Sequence, residues 1–363
     1  MTRDLQRRIG AKGMTRTGIV EDKRYLDHRA DGYHPESHQR LEVLYQMLQD
    51  SDMKGKYAEI PPRPAESEEL ELIHAPGYIR TVAATAGRSM TMLDPDTYAC
   101  ARSYETAKLA AGGALEATTK VIEGEVDNAF CLIRPPGHHA EGNRAMGFCL
   151  FNNVAIAAAS AIQTGKVRKA MIIDWDLHHG NGTQHSFYDR ADVLYFSTHQ
   201  YPYYPGTGAI RETGEKEGKG FTVNVPLPSG PGDGEYMHLF EEILEPIALA
   251  YKPELIFVSA GFDIYYGDPL GGMQVTPEGF ANLTRIILDF AQSTCSGKVI
   301  FVLEGGYHLE GLRDSAKAVL KTMKGEVLAA GRREDLRQKL NSQLIAPIVK
   351  KVKETQKPFW KNL

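Results

Sequence analysis

Six short apolar runs recur along the chain, and each is followed by glycine-rich or polar residues. The runs are NAFCLI (128–133), AMII (170–173), VLYFS (193–197), FTVNVPL (221–227), LIFVSA (255–260) and VIFVLE (299–304). Continuous apolar runs of four to seven residues are typical of strands buried on both faces, and such strands are usually parallel. The pattern therefore predicts a parallel β-sheet.

Segments with helical spacing of apolar positions lie between these runs. They cover residues 103–123, 152–164, 236–251 and 277–292. Strands that alternate with helices indicate a doubly wound α/β architecture. No internal repeat or linker interrupts the pattern, so residues 18–325 are predicted to form one continuous domain. Residues 1–17 are predicted to be a mobile basic tail, and residues 326–363 a helical extension with a basic, amphipathic end.

Composition narrows the class of protein. The chain has 363 residues, of which 42% are hydrophobic and 24% charged, with a formal net charge of −4. These values are typical of a globular protein and argue against a general nucleic-acid or membrane binder. No apolar run approaches 18 residues, and the opening residues lack the apolar core of a signal peptide. The four cysteines are scattered without a CxxC pair, which predicts unpaired thiols in a reducing cytoplasm.

Ionisable side chains follow four of the predicted strands. In open α/β sheets, ligands bind beyond the carboxyl ends of the strands, so these side chains are expected to meet at one rim. Buried parallel strands rarely end in so many ionisable groups for packing reasons alone. The ionisable groups are His138 and His139, then Asp174, Asp176 and His178, then Asp263, and finally Tyr307, and the amide of Asn181 follows His178 in the same motif.

Three of these residues suit a metal ion. Asp176 and His178 are two apart in an extended segment, so both side chains can point to one side. Asp263 would supply a third ligand, and a site with three protein ligands keeps one position open for catalysis. The donors favour zinc, with iron(II), cobalt(II) or manganese as alternatives. Each aspartate alone would be read as a helix cap or turn residue, so the prediction depends on all three together.

The adjacent histidines suit proton transfer. His138 and His139 lie on a Pro-Pro-Gly loop, where neighbouring side chains diverge, so both are not expected to ligate one ion. One would take a proton from the attacking water and the other would protonate the leaving amine. Asp174 and Asn181 are the predicted partners that orient the rings. The other histidines near these motifs are interpreted as structural hydrogen-bond partners: His179, His199 and His308.

Tyr307 lies in a Gly-Gly-Tyr turn. Its phenol could donate a hydrogen bond to a developing oxyanion. Taken alone, it would be interpreted as an aromatic side chain at the rim of a glycine turn.

Six sequence blocks together resemble one known family, the zinc-dependent histone deacetylase superfamily, which includes the acetylpolyamine amidohydrolases. The resemblance covers residues 18–325 in the family's order and is closer to the class II branch, because Asn181 follows HHG. The blocks are RPPGHHAE (134–141), GFCLFNNVAIAA (147–158), DWDLHHGNGTQ (174–184), YYPGTG (203–208), SAGFDIYYGDPLGGMQVT (259–276) and LEGGYHL (303–309).

The resemblance implies an arginase/deacetylase fold, with a central, mainly parallel eight-stranded sheet flanked by helices. It also implies a role for each matching residue. Metal ligands match Asp176, His178 and Asp263, and the general base/acid pair matches His138 and His139. The orienting carboxylate matches Asp174, and the carbonyl-polarising tyrosine matches Tyr307. A potassium ion is implied at Asp174, Asp176, His178, Ser197 and Thr198.

The resemblance also implies an acyl-lysine tunnel. Gly147 and Phe148 match one wall, and Gly305 is placed in the tunnel with them. Tyr204 stands where the other wall usually has phenylalanine. Leu270 stands in GDPLGG where polyamine-selective relatives carry a glutamate, whose carboxylate would attract a cationic substrate. His308, where many relatives carry asparagine, is a further departure from the family pattern.

The sequence therefore predicts a metal-dependent deacetylase that hydrolyses the acetyl-amide of acetyl-lysine or a similar acylated amine. The alternatives are an acetylpolyamine or other small-amide amidohydrolase, a binuclear manganese ureohydrolase on the same fold, and an inactive binder of acylated ligands. The predicted cofactors are Zn2+ and a structural K+. A homo-oligomer is a further hypothesis.

Overall fold

Eight parallel strands form the central sheet of this computed structural model, which describes residues 15–326, 333–338, 340–361 and 363. The strand order is β2-β1-β5-β10-β9-β6-β7-β8, and each neighbouring pair is parallel. The predicted mainly parallel eight-stranded sheet is therefore confirmed. The strands are β1 (Thr17–Val20), β2 (Ala58–Glu59), β5 (Asn128–Cys131), β6 (Ala170–Asp174), β7 (Val193–Gln200), β8 (Thr222–Leu227), β9 (Leu255–Ala260) and β10 (Val299–Leu303).

A separate antiparallel hairpin lies outside this sheet. It is formed by β3 (Met90–Asp94) and β4 (Thr97–Cys100). The backbone amides of Gly147 and Phe148 donate to side chains of this hairpin, so the hairpin supports the predicted tunnel wall.

Helices cover the sheet, and the four that were predicted are present. The helices are α1 (Gln39–Leu48), α2 (Ser67–Leu70), α3 (Pro76–Ala83), α4 (Ser103–Ile122), α5 (Asn153–Gln163), α6 (Asn181–Phe187), α7 (Asp233–Leu239), α8 (Glu245–Tyr251), α9 (Pro277–Thr294), α10 (Leu309–Met323), α11 (Arg333–Gln338) and α12 (Ser342–Gln356). Short 3-10 helices cover Lys23–Asp27 and Lys216–Gly218.

The predicted helix over 236–251 differs in detail. It consists of α7 and α8 joined by a π-helical turn over Phe240–Leu244. Pro246 has no backbone N–H to donate to the preceding turn, and this loss favours a local change of hydrogen-bond register.

Strand order decides where the functional side chains meet. The neighbours β5, β10, β9 and β6 are buried along their whole length, which explains their continuous apolar sequences. Because the strands are parallel, their carboxyl ends lie at one edge of the sheet. The loops that carry the predicted site residues all leave from this edge.

The last part of the chain covers the edge strand β8. The Gln356 amide donates to the Thr222 carbonyl at 3.0 Å, and the Trp360 indole donates to the Gly220 carbonyl at 3.0 Å. The predicted extension also includes residues 327–332, 339 and 362, which lie outside the described residues, as do residues 1–14 of the predicted tail. Among the described residues, none of the helices combines the length and apolarity needed to cross a bilayer.

Candidate active site

Asp176, His178 and Asp263 converge on one buried pocket. One potential ligand atom from each lies within 4.8 Å of the others. The Nδ1 atom of His178 is 3.2 Å from Asp176 Oδ1 and 3.1 Å from Asp263 Oδ2. The structure therefore brings together, from β6 and β9, the three residues that the sequence predicts as metal ligands.

Backbone amides orient both carboxylates of this pocket. Asp176 Oδ2 accepts from the Gly305 amide at 2.8 Å, and Asp263 Oδ1 accepts from the Leu177 amide at 2.8 Å. A Cβ at Gly305 would lie 2.3 Å from Asp263 Oδ2 and 2.6 Å from Asp176 Oδ2. Glycine at this position therefore leaves the space in which the two carboxylates face each other.

The charge of the pocket fits a divalent cation. Both carboxylates are completely buried, and burial followed by the nearby Asp176 charge raises the pKa of Asp263 to about 7. Burial opposes protonation of His178, but hydrogen bonds to Asp176 and Asp263 outweigh it and raise its pKa to about 9. Paired anions without a cation are unfavourable in a buried site, so this oxygen and nitrogen donor set fits a metal ion.

His138 and His139 lie side by side, with ring centroids 4.0 Å apart. The Nδ1 atom of His138 is 3.1 Å from Asp174 Oδ2, and its Nε2 atom is 3.8 Å from Asp176 Oδ1. The Nδ1 atom of His139 is 2.7 Å from Asn181 Oδ1. Each ring therefore has a fixed partner at Nδ1, and these are the partners that the sequence suggests.

The two histidines have opposite electrostatic environments. Burial lowers the pKa of His139 well below its usual value, and the neighbouring His138 and His178 lower it further. Burial also opposes protonation of His138, but the carboxylates of Asp176 and Asp174 outweigh it and raise its pKa well above the usual value. Two titratable groups whose pKa values are driven apart are suited to separate acid and base roles.

Tyr307 lies in the turn that follows β10, and this turn is held on two sides. The Tyr307 backbone amide donates to Asp268 Oδ2 at 2.6 Å. Arg40 donates to the Gly306 and Glu304 carbonyls, each at 2.6 Å, and its guanidinium lies 5.0 Å from the Tyr307 ring centroid. Burial raises the pKa of the Tyr307 phenol well above its usual value, so the hydroxyl remains a donor.

The support beneath this turn includes residues that the sequence reasoning missed. Glu36 is completely buried between two arginines: Arg40 Nη1 donates to it at 3.1 Å, and Arg134 Nη2 donates to it at 2.6 Å. Glu304 is also completely buried, and Asp268 is nearly so. A buried charge such as Glu36 is stable only when paired, which explains why two arginines surround it.

The predicted tunnel wall has a strained backbone. Gly147 and Phe148 both adopt positive φ values, 56° and 67°. Asp96 Oδ1 accepts from the Gly147 amide at 3.1 Å, and Thr97 Oγ1 accepts from the Phe148 amide at 3.0 Å. A positive φ at phenylalanine is uncommon and persists where the surroundings fix it, often at ligand sites.

Aromatic rings link the predicted tunnel residues to the histidines and the tyrosine. The Phe148 ring meets the Tyr307 ring edge-on at 6.0 Å, and the Tyr204 ring meets the His139 ring edge-on at 5.2 Å. Near Leu270, the Tyr203 ring stacks on His178 at 5.8 Å, and the Tyr203 hydroxyl donates to the Leu270 carbonyl at 3.0 Å. Phe148 and Tyr204 therefore contact Tyr307 and His139 directly, and Leu270 is linked to His178 through Tyr203.

The predicted potassium ligands lie at and just after the end of β6 and within β7, where Asp174 pairs with Ser197 in the sheet register. The buried Thr198 hydroxyl has no hydrogen-bond partner among the described residues, whereas the Ser197 hydroxyl lies 2.9 Å from His199 Nδ1.

The three histidines interpreted as structural each make hydrogen bonds within the fold: His179 with Thr207 and Gln184, His199 with Ser197 and Gly208, and His308 with the Gly311 amide.

Comparison with known proteins gives the class of this domain. Residues 34–323 match the family model described as "Histone deacetylase domain". The chain therefore belongs to the histone deacetylase family, and the resemblance read from the six sequence blocks is confirmed.

The similar proteins come from plants, archaea, fungi and nematodes. The chain is 42% identical to "Histone deacetylase 15" of Arabidopsis thaliana over 81% of its length, and 38% identical to a "Probable deacetylase" of Archaeoglobus fulgidus over 95%. The crystal structure of the HDA15 HD domain superposes with a TM-score of 0.88 at 38% identity, covering 96% of this chain and 97% of that one. The chain spans 53% of the Arabidopsis protein and 99% of the archaeal one.

Proposed function

We propose that the chain is a metal-dependent deacetylase that hydrolyses the acetyl-amide of acetyl-lysine, releasing acetate and the free amine. The observation that carries this proposal is the convergence of three buried side chains suited to a metal ion, two oriented histidines and one half-buried tyrosine at the carboxyl edge of the sheet. Membership of the histone deacetylase family supports the same chemistry.

Asp176, His178 and Asp263 would hold the metal ion, and we propose zinc, with iron(II) or cobalt(II) as alternatives. One nitrogen and two carboxylate donors suit these ions. When bound, the ion supplies Lewis acidity, which polarises the acetyl carbonyl and makes water more acidic.

The two histidines would move the protons. With Nδ1 of His138 held by Asp174 and Nδ1 of His139 held by Asn181, the Nε2 atom of each ring remains for the substrate. One ring accepts a proton from the attacking water, and the other donates a proton to the leaving amine nitrogen. The difference between their electrostatic environments supports this division of roles.

Tyr307 would stabilise the oxygen that becomes negative as water adds to the carbonyl. Its hydroxyl stays protonated because burial raises its pKa, and the turn that carries it is held by Arg40 and Asp268. A fixed donor aimed at a developing charge lowers the barrier without strengthening substrate binding.

The proposal is tested by measuring acetate release from an acetyl-lysine peptide by the zinc-loaded full chain. The expected result is turnover that a chelator abolishes and added zinc restores. An Asp176→Asn variant should be inactive under the same conditions. Absence of turnover by zinc-loaded protein on acetyl and longer acyl-lysine peptides would refute the proposal and favour the inactive binder.

A second candidate is an acetylpolyamine amidohydrolase, which would share the same site. Leu270, half-buried beside Tyr203, argues against it because an apolar side chain offers no attraction to a cationic amine. We expect a Leu270→Glu substitution to raise kcat/KM for N-acetylspermidine by about tenfold, equivalent to 1.4 kcal/mol, since it adds a carboxylate near the approach to the site. Higher activity of the unaltered chain on N-acetylspermidine than on the peptide would overturn the assignment to acetyl-lysine.

We also propose a structural potassium ion at Asp174, Asp176, His178, Ser197 and Thr198. The buried, unpartnered Thr198 hydroxyl supports it, because such groups normally have a partner. A cytoplasmic location is proposed from the four cysteines, which are buried and unpaired.

A further inference from the structure

A buried carboxylate lies directly beneath the histidine loop. Glu304, the first residue after β10, has no solvent-exposed surface. Its Oε2 atom accepts from the Gly137 amide at 2.7 Å and from the His138 amide at 3.1 Å, and its Oε1 atom lies 3.3 Å from the Ser259 hydroxyl. Its hydrogen bonds therefore come from two backbone amides and a hydroxyl rather than from a lysine or arginine.

This residue joins two parts of the site that are distant in sequence. Its side chain holds the loop that carries His138, while its backbone carbonyl accepts from Arg40 at 2.6 Å in the turn that carries Tyr307. The next residue, Gly305, donates its amide to Asp176. A movement of Glu304 would therefore shift the histidine relative to both the tyrosine and the metal pocket.

The buried carboxylate of Glu304 is not needed for the stability of the fold. Burying a carboxylate is unfavourable, and an apolar residue at the end of a buried strand would avoid that cost. What the carboxylate provides is one oxygen atom that accepts from two consecutive amides, and this fixes the backbone from which the His138 ring extends. The His138 ring lies close to two carboxylates: its Nδ1 atom is 3.1 Å from Asp174 Oδ2, and its Nε2 atom is 3.8 Å from Asp176 Oδ1.

We propose that Glu304 is a positioning residue for the reaction. It fixes the His138 backbone so that the ring keeps its distances to Asp174 and to the metal pocket, and its contribution is to kcat rather than to substrate binding. The inference rests on the proposed deacetylase function and adds a residue that acts through His138 without touching the substrate.

Two conservative variants distinguish the effect of the position of the Glu304 oxygen atom from the effect of the side-chain charge. Glu304→Gln removes the charge, but its amide oxygen can occupy the place of Oε2 and accept from both backbone amides. Glu304→Asp keeps the charge but is shorter by one methylene, so it withdraws the oxygen from those amides. Ser259→Ala is the matched control, because it removes the 3.3 Å contact with Oε1 and leaves both amide contacts intact.

The experiment measures kcat and KM on an acetyl-lysine peptide, together with zinc content and melting temperature, for the full chain and the three variants. We expect Glu304→Asp to lower kcat by about 10–100-fold with unchanged KM and zinc content, the range observed when supporting residues of metal sites are altered. Glu304→Gln and Ser259→Ala should retain kcat within about threefold, because both keep the amide contacts.

A double-mutant cycle tests whether the effect passes through His138. In a His138→Ala background, Glu304→Asp should cause no further loss of kcat, since residues that act as a unit are not additive. The inference is overturned if Glu304→Asp keeps full kcat, if Glu304→Gln is the more damaging variant, or if the loss is equal in both backgrounds. A zinc-loaded wild-type chain without any turnover is a different result, and it would refute the proposed function itself.

Discussion

The Gly305→Ala substitution tests how the backbone shapes the metal pocket. The added Cβ would lie 2.3 Å from Asp263 Oδ2 and 2.6 Å from Asp176 Oδ2. Ordinary contacts of this kind begin near 3.4 Å, so both carboxylates would have to move by about 1 Å. Metal–ligand distances tolerate only about 0.2 Å. The substitution should therefore displace two of the three ligands at once.

We expect Gly305→Ala to lower zinc affinity by at least about 100-fold, the upper end of what altered support of metal ligands causes. Turnover of the acetyl-lysine peptide at limiting zinc should fall in proportion. The assay is a competition titration with a chromogenic zinc chelator, followed by acetate release at each zinc concentration.

The matched control is Gly77→Ala in helix α3. Gly77 is exposed, and a Cβ there would find its nearest neighbour, Arg80 Nη2, at 3.9 Å. This variant should bind zinc and turn over substrate as the wild type does. Unchanged zinc affinity in Gly305→Ala would refute the argument that this glycine leaves room for the two carboxylates.

Three further perturbations test other parts of the site and its support. Tyr307→Phe should lower kcat by about 10²–10³-fold with little change in KM, measured by steady-state kinetics, because the lost donor acts on the transition state. Arg40→Met should lower the free energy of unfolding in urea by about 3–5 kcal/mol, since it removes a partner from the buried Glu36. His74 is buried with its pKa lowered to about 4, first by burial, and its Nε2 atom accepts from the Asn152 amide at 2.9 Å. The folded state therefore favours the neutral His74 ring, and this contribution is complete above pH 6.5 and is lost as the pH falls toward 4. The free energy of unfolding of the wild type relative to His74→Gln should therefore decrease by about 1.4 kcal/mol for each pH unit between 6.5 and 4.

Each of these predictions has a result that would count against it. Near-normal kcat in Tyr307→Phe would remove the proposed oxyanion role. The exposed Arg80→Met is the control for Arg40→Met, and equal stabilities of the two variants would contradict the buried ion-pair argument. Parallel stability curves for wild type and His74→Gln between pH 6.5 and 4 would contradict the titration of His74.

The hydrophobic pattern located the longer buried strands, including the edge strand β8, but not the short or partly exposed ones. Each predicted run covers all or part of one of the buried strands β5 to β10, although β6 and β7 continue past their runs to Asp174 and Gln200. Strand β2 has only two residues and β3 is partly exposed, so neither has a long apolar run. They form because neighbouring elements pair with them, which a local pattern does not contain.

The site residues were accessible to sequence reasoning because they sit at strand ends and inside recognisable motifs. The supporting residues were not. Glu36 and Arg40 lie far from the motifs, and their role depends on Arg134 and on the turn after β10, which meet them only in the folded chain. Glu304 was visible within the LEGGY block, but the direction of its side chain toward the His138 loop depends on the pairing of β10 with β5.

The most direct test of the account is a zinc titration of the metal-free full chain, with acetyl-lysine turnover measured at each step. If Asp176, His178 and Asp263 hold a single catalytic ion, turnover should rise linearly and stop at one zinc per chain, and an Asp263→Asn variant should show no rise. A rise in turnover that continues to two zinc ions per chain would indicate a binuclear site. Turnover that does not depend on added metal would contradict the proposed chemistry.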